Sequence, residues 1–388
     1  MTDYSAVIHF IKSQFPGKDF IPLHEPKFMG REREYVLDAI DSTFVSSVGA
    51  YVNRFEEMMA EIAGTKYAVA TVNGTAALHM ALLVAGVKQN DLVITQSMTF
   101  VATCNALSYI GASPVFVDVD RDTMGLSPVA LEIWLQENCF LDTDPLTGKI
   151  SARLRGTNQR VASVLPMHTF GHPCRIDQIK NICEQYQIPL IEDAAESLGS
   201  YYREKHTGSF GVMGIFSFNG NKTVTCGGGG AIVTDDKEMA KLAKHLTTQA
   251  KVPHRWEFNH DQIGYNYRMP NLNAALACAQ LEQLSLFTAD KRDLAEKYEY
   301  LFDQEPDIIY KKEPADGKSN YWLNSIELKN LKERNDFLSS SNDQGVMTRP
   351  VWTLMNQLKL FDKELKGPLP NSEYLAERLV NIPSSVRI

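Results

Sequence analysis

The chain has 388 residues, more than one hydrophobic core usually serves, so we expect two domains. Its composition, 44% hydrophobic and 22% charged, is typical of a globular protein, and its net charge of −8 argues against a nucleic-acid-binding protein. Six cysteines without a C-x-x-C pair indicate free thiols in a reducing cytoplasm, and the sequence contains no apolar stretch long enough to cross a membrane.

The first segment, MTDYSAVIHFIKSQFP, predicts a short amphipathic helix and does not have the pattern of a signal peptide. Its apolar residues fall near helical spacing; they are Ala6, Val7, Phe10, Ile11 and Phe15. We expect residues 1–20 to form a helical extension that packs on the body of the protein or on a partner subunit.

From about residue 67, segments with strand and helix patterns alternate, from KYAVATV and NGTAALHMALLVAG to MGIFSF and GGAIVTDD. This alternation predicts an α/β domain over residues 21–268, with a mostly parallel central sheet covered by helices. From residue 269 to 388 the pattern changes to long helices and short strands, which predicts a smaller C-terminal α+β domain. The stretch 139–160 is polar and aperiodic, so we expect a surface excursion there.

Three polar sites follow predicted strands, at the sheet edge where α/β proteins bind ligands. The first is Asn73-Gly74-Thr75, which precedes a helix. A helix N-terminus offers free N–H groups, Gly74 permits close approach of the backbone, and Thr75 adds a hydroxyl, which together suit a phosphate. An ordinary helix N-cap is the alternative.

The second site is Asp193, which closes the predicted buried strand PLIED. A buried acid requires a partner, and a protonated heterocyclic nitrogen is one such partner. A cap or ion pair in the following loop is the alternative.

The third site is the stretch GIFSFNGNKTVTCGGGG, in which Ser217 and Asn219 flank the end of a strand and Lys222 precedes four glycines. It is not a P-loop, because Asn221 stands where that motif requires glycine. Nor does GGGG have the spacing of a dinucleotide-binding fingerprint. A glycine-rich hairpin with an exposed lysine is the alternative.

Together the three sites suit one ligand, pyridoxal 5'-phosphate (PLP). Lys222 supplies an amine for the aldehyde, Asp193 an acid for the ring nitrogen, and the loop after residue 72 a phosphate cradle. Phe100, after another predicted strand, is placed to stack on the cofactor ring.

At these residues the chain resembles the DegT/StrS family of PLP-dependent sugar-nucleotide aminotransferases. The motifs that carry the resemblance are NGTAALHMAL, SMTFVATCNAL, PVFVDVD, EDAAESLGS, GIFSFNGNKTVTCGGGG and GYNYRMPNLNAALA. The N-terminal form, IPLHEPKFMG followed by DSTFVSSVG, is most similar to the LegC branch.

The resemblance implies PLP-dependent transferase fold type I and assigns roles to single residues. Lys222 is the Schiff-base lysine and Asp193 pairs with the pyridine nitrogen, while Phe100 stacks on the ring. Gly74, Thr75 and Ser217 hold the phosphate. Asn266, in GYNYR, reaches the phosphate of the neighbouring subunit, and Glu196 falls where many relatives carry Gln or His beside the ring hydroxyl of the cofactor.

The implied activity is transfer of an amino group from glutamate to C4 of a UDP-linked 4-keto-6-deoxy-N-acetylhexosamine, by a homodimer with shared active sites. Related enzymes carry His in place of the lysine and act as dehydratases, so Lys222 favours transamination. Two alternatives stay open: an aminotransferase for another nucleotide-linked keto sugar, such as a dTDP-linked 3-keto or 4-keto sugar, and a non-catalytic PLP-binding sugar sensor.

Overall fold

The structure is a computed structural model that describes residues 3–143, 145, 148 and 150–388. Its α-helices are α1 Ser5–Gln14, α2 Glu32–Asp41, α3 Ala50–Ala63, α4 Gly74–Val84, α5 Val101–Ile110, α6 Pro128–Asn138, α7 Ile176–Gln185, α8 Lys237–Thr247, α9 Asn271–Leu281, α10 Leu284–Phe302, α11 Leu331–Asp343 and α12 Pro370–Ala376. Its strands are β1 Tyr67–Thr71, β2 Leu92–Gln96, β3 Ser113–Val117, β4 Cys139–Thr143, β5 Ile150–Leu154, β6 Val161–Val164, β7 Ile191–Asp193, β8 Tyr201–Tyr202, β9 Lys205–His206, β10 Met213–Ser217, β11 Gly230–Thr234, β12 Ile308–Tyr310, β13 Gly317–Lys318, β14 Asn324–Leu328, β15 Arg349–Pro350, β16 Leu365–Lys366 and β17 Leu379–Ile382.

The central sheet consists of two four-stranded parts, in the orders β1-β11-β10-β7 and β16-β3-β2-β6. Single parallel bridges from Val164 to Leu190 and from Met167 to Asp193 join β6 to β7 across the two parts. Only β11 runs antiparallel to its neighbours, so the sheet is mostly parallel, as predicted. The carboxyl ends of β1, β2, β7 and β10 therefore lie at one edge.

Helices cover both faces of this sheet because alternate strand residues are apolar on each side. On one face Phe216 and Val233 pack with α3 and α9. On the other, Ile215 and Ile232 pack with α4 and α8. This two-sided burial fixes the register of each strand and hence the position of the polar residues that follow it.

The smaller C-terminal body is built on the antiparallel sheet β12-β14-β17-β15. Helix α1 packs into its core, where Ile11 and Phe15 are buried with Tyr298 and Phe337. The N-terminal helix thus packs on the body of the protein, which is one of the two surfaces predicted for it. Ile11 and Phe15 are buried in that core and are therefore not available to a partner subunit, whereas Phe10 is only partly buried.

The predicted boundary at residue 268 lies too early. Helix α9 packs in the large-domain core, and α10 runs through both cores: Phe287 lies in the first, whereas Leu294 and Tyr298 lie in the second. The change of sequence pattern near residue 270 reflects the start of longer helices. The apolar face of a helix can be recognised in the sequence, but the sequence pattern does not indicate which core will bury that face. The packing places the division within α10.

The stretch 139–160 also differs from the prediction. Strands β4 and β5 pair antiparallel over five residue pairs, so the excursion carries a β-ribbon. Helices α2 and α3 were not predicted at all, although Val52, Phe55 and Met59 of α3 form a regular apolar face. Within the described ranges, no helix is both long and apolar enough to cross a bilayer.

Candidate active site

A cavity of about 310 Å³ lies at the carboxyl edge of the sheet. Seven of the eight predicted site residues line it, and these are Gly74, Thr75, Phe100, Asp193, Glu196, Ser217 and Lys222. They meet because they end or follow strands β1, β2, β7 and β10, whose carboxyl ends point the same way. The geometry therefore brings together residues that are up to 148 positions apart in the chain.

The N-terminus of α4 forms one wall of the cavity. The side chain of Asn73 caps the helix by accepting a hydrogen bond from the N–H of Ala76 at 2.8 Å. A Cβ added to Gly74 would lie 2.8 Å from the Cβ of Ser217, so only glycine lets β10 approach the helix this closely. The first-turn N–H groups at Gly74 and Thr75 have no acceptor within the helix, which fits them to an anion.

The glycine run after Lys222 allows a second close approach. A Cβ on Gly230 would lie 2.5 Å from the backbone of Asn73. Gly230 opens β11, which pairs with both β1 and β10, so it holds the turn before α4 against the strand that leads to Lys222. The glycines thus serve strand packing beside the cradle, and Gly227 at φ 78° serves the turn.

Asp193 presents a buried carboxyl to the cavity. Thr103 Oγ1 donates to its Oδ2 at 2.8 Å, and the N–H of Ala195 donates to Oδ1 at 3.2 Å. Burial raises the pKa of Asp193, with these two hydrogen bonds and the charge of Lys222 acting in the opposite direction. A carboxylate accepts more than two hydrogen bonds, so the group retains capacity for a cationic N–H in the cavity.

Lys222 extends its amine into the same cavity. Its Nζ lies 3.2 Å from Oε1 of Glu196 and 3.8 Å from the ring centroid of Trp322. The side chain is 14% exposed, whereas that of Glu196 is 2% exposed. The alternative of a lysine exposed on a hairpin is therefore excluded by its position.

Aromatic rings that the sequence reasoning missed form the remaining wall. Trp322 precedes β14 and Trp352 follows β15, so both come from the C-terminal body. The ring of Phe100, which is 47% exposed, meets that of Trp352 edge-on at 5.9 Å between centroids. The short strands predicted for the C-terminal domain did not indicate these tryptophans, because β14 begins at Asn324 and β15 ends at Pro350, which leaves both indoles in loops.

Asn266 is the one predicted site residue outside this cavity. It is exposed and forms an isolated antiparallel bridge with Thr248. A role at the phosphate of a neighbouring subunit stays a prediction, since the structure contains a single chain.

The cavity thus joins the amine of Lys222, the buried carboxyl of Asp193 and the N-terminus of α4. The model of the DegT/DnrJ/EryC1/StrS aminotransferase family matches residues 27–388. The chain belongs to this family. As a DegT/DnrJ/EryC1/StrS member it is a PLP-dependent sugar aminotransferase, which confirms the predicted fold, enzyme class and cofactor.

Individual relatives match almost the whole length of the chain. A GDP-perosamine synthase of Escherichia coli O157:H7 is 37% identical over 94% of the chain and 93% of its own length. A GDP-perosamine synthase of Caulobacter vibrioides is 34% identical, again over 94% and 93%. The crystal structure of S. venezuelae DesV in complex with a ketimine intermediate is 26% identical, with a TM-score of 0.79 over 91% of this chain and 89% of that one.

Proposed function

We propose that this enzyme transfers an amino group from glutamate to C4 of a UDP-linked 4-keto-6-deoxy-N-acetylhexosamine. The observation that supports an aminotransferase is that the amine of Lys222 shares one cavity with Asp193 and the α4 cradle. The N-terminal motifs IPLHEPKFMG and DSTFVSSVG support the UDP-linked substrate through their similarity to the LegC branch.

The residues of the cavity have separate tasks in this proposal. The N–H groups at Gly74 and Thr75 and the hydroxyl of Ser217 would hold the phosphate of PLP, and Asp193 would accept a hydrogen bond from the protonated ring nitrogen. Bound in this way, PLP supplies an electron sink for the carbon that exchanges the amino group. Lys222 would hold the cofactor through its amine, and as a free amine it would move a proton at the carbon that exchanges the amino group.

The aromatic wall determines what shape of substrate can approach Lys222. Trp322 and Trp352 are held by the packed ring of Phe170, whose centroid lies 5.0 Å from that of Trp352. Flat apolar faces suit the faces of a sugar ring and exclude water from the amine. Phe100 is the exposed member of the wall, so a nucleotide joined to the sugar would leave the cavity on that side.

A GDP-linked keto sugar is the second candidate. Two relatives with 37% and 34% identity are named GDP-perosamine synthases. The two candidates differ in the nucleotide, so a test must vary the nucleotide as well as the sugar.

We further propose that the working enzyme is a homodimer with shared sites, to which Asn266 of one subunit contributes at the other. Its exposed position supports this arrangement, as do the exposed apolar side chains of Phe44 and Val48 around a groove of about 560 Å³ that reaches Arg268. Such a surface is typical of a protein contact.

A substrate panel tests the activity. The purified enzyme is incubated with glutamate and with UDP-, dTDP- and GDP-linked 3-keto and 4-keto sugars, and products are identified by mass spectrometry and NMR. We expect one new amine at C4 of the UDP-linked N-acetylhexosamine. Faster turnover of a GDP-linked sugar would select the second candidate, and no amine with any sugar would contradict the proposal.

A further inference from the structure

We propose that Glu196 is the proton-holding partner of Lys222, taking the ammonium proton of the lysine and returning it within the cavity. The proposal rests on the proposed function of Lys222 and concerns a residue at which the chain departs from many relatives. It assigns Glu196 an acid–base task in addition to a place beside the cofactor ring.

The carboxyl of Glu196 is fixed at both oxygens. Oε1 lies 3.2 Å from Nζ of Lys222, and Oε2 accepts a hydrogen bond from the backbone N–H of Phe170 at 2.9 Å. Phe170 has φ 56° inside a short 3-10 turn, a left-handed conformation that is uncommon for an aromatic residue. The strained backbone directs its N–H at Glu196, so the carboxyl cannot rotate away from the lysine without losing that bond.

The surrounding charges are few. Asp193 faces Glu196 from β7, and His24, whose ring nitrogens have no hydrogen-bond partner in the described chain, lies in the field of Lys222 and of buried Lys291. The charge of His168, in the segment after β6, acts to lower the pKa of Asp193. Burial raises the pKa of Glu196 to about 7, opposed by Lys222 and the Phe170 N–H and reinforced by Asp193.

The proton step is balanced within the pair. A Lys222 ammonium and a Glu196 carboxylate become a free amine and a neutral carboxyl, so the net charge of the cavity is unchanged. A carboxyl that titrates near neutral pH is well matched to this exchange. Glutamine at position 196 would keep an oxygen that can accept from the Phe170 N–H, but its NH2 group cannot accept from the Lys222 ammonium, and the amide would not take up a proton.

The chain offers a matched control in a second buried lysine–glutamate pair. Lys311 Nζ lies 2.8 Å from Oε2 of Glu327, and both side chains are less than 10% exposed. This pair lies away from the cavity, and the pKa of Glu327 is lowered despite its burial, because Lys311 and Tyr374 hydrogen-bond to it. Glu327→Gln therefore removes a buried glutamate without touching Lys222.

The first test uses cofactor-free protein with ¹³C-labelled glutamate carboxyls, followed by infrared or NMR titration. We expect one buried carboxyl to titrate near pH 7 in the native chain and in Glu327→Gln, and to be missing in Glu196→Gln. A native chain in which no glutamate titrates between about pH 6 and pH 8 overturns the proposal, whatever the variants do.

The second test measures the rate at which the cofactor-free chain captures added PLP, as a function of pH. The native rate should rise up to about pH 7 and then level off. Above that pH the pair holds one proton fewer, and Glu196 can keep the remaining proton while Lys222 is a free amine. In Glu196→Gln the rate should continue to rise through that pH. Capture with the same pH profile in both proteins overturns the inference alone, whereas a native chain that captures no PLP contradicts the proposed function itself.

Discussion

The indole Nε1–H of Trp322 donates a hydrogen bond to the carbonyl oxygen of Asn221 at 2.7 Å. Trp322 belongs to the C-terminal body and Asn221 immediately precedes Lys222, so this bond joins the C-terminal body to the loop that carries Lys222. The same indole lies under the ammonium of Lys222 at 3.8 Å. The side chain of Trp322 thus contacts both the backbone that precedes Lys222 and the ammonium group of Lys222.

Trp322→Phe should separate these two contacts. Phenylalanine keeps an aromatic face for Lys222 but cannot donate to Asn221, and losing a net hydrogen bond costs about 1 kcal/mol, which corresponds to a roughly fivefold lower kcat if the bond positions the amine. Trp322→Leu, which also removes the aromatic face, should lose more. Equal kcat values for native enzyme and Trp322→Phe would show that the bond does not position Lys222.

Lys222→Ala should abolish both turnover and the visible absorbance of covalently held cofactor. In the described chain, Lys222 is the one lysine that lines the cavity. Lys222→Arg should fail as well, since a guanidinium keeps the charge but does not form the bond to an aldehyde. Covalent retention of PLP by either variant, detected by mass spectrometry after reduction, would move the anchor to another residue.

Asp193→Asn should still bind PLP but transaminate more slowly. The neutral amide fits the same space and accepts from Thr103, but it no longer favours a protonated ring nitrogen. A loss of about 100-fold in kcat corresponds to about 2.7 kcal/mol of transition-state stabilisation. Wild-type rates in this variant, with cofactor occupancy equal to that of the native enzyme, would mean that the acid is structural.

Gly74→Ala should weaken PLP binding, because its Cβ would lie 2.8 Å from the Cβ of Ser217 and push the strand end away from the cradle. Gly220→Ala is the matched control: it lies two residues from Lys222, and a Cβ there meets nothing within 4 Å. Equilibrium dialysis should show a higher Kd for Gly74→Ala and no change for Gly220→Ala. An unchanged Kd in both would place the phosphate elsewhere.

Mixed dimers test whether the sites are shared. Lys222→Ala lacks the anchor, and Asn266→Asp adds a negative charge that should repel the phosphate, so each parent should be inactive. If Asn266 acts across the interface, subunit exchange gives dimers with one doubly defective and one intact site, and activity should partly return.

The control for this experiment is proof of exchange, by native mass spectrometry of differently tagged chains. Two inactive parents that exchange without any recovery would show that one chain supplies both residues to each site.

The sequence by itself determined the cofactor of this protein and the sheet edge at which its candidate site lies. Strand and helix periodicities are local, so the ends of β1, β7 and β10 could be located from the chain alone, and a parallel sheet must place Gly74, Asp193 and Lys222 together. Their residue types then suited PLP without reference to any packing. The family model that matches residues 27–388 confirms that cofactor.

Only the tertiary structure decided which side chains surround the amine. Trp322 and Trp352 reach the cavity from the C-terminal body, and Phe170 meets Glu196 through a left-handed backbone that no local pattern indicates. The packing of α1 and the passage of α10 through both cores were decided in the same way. Burial of an apolar residue stabilises the fold, but the residue type does not indicate which residues will cover it. Those neighbours come from distant parts of the chain and are set by the tertiary packing.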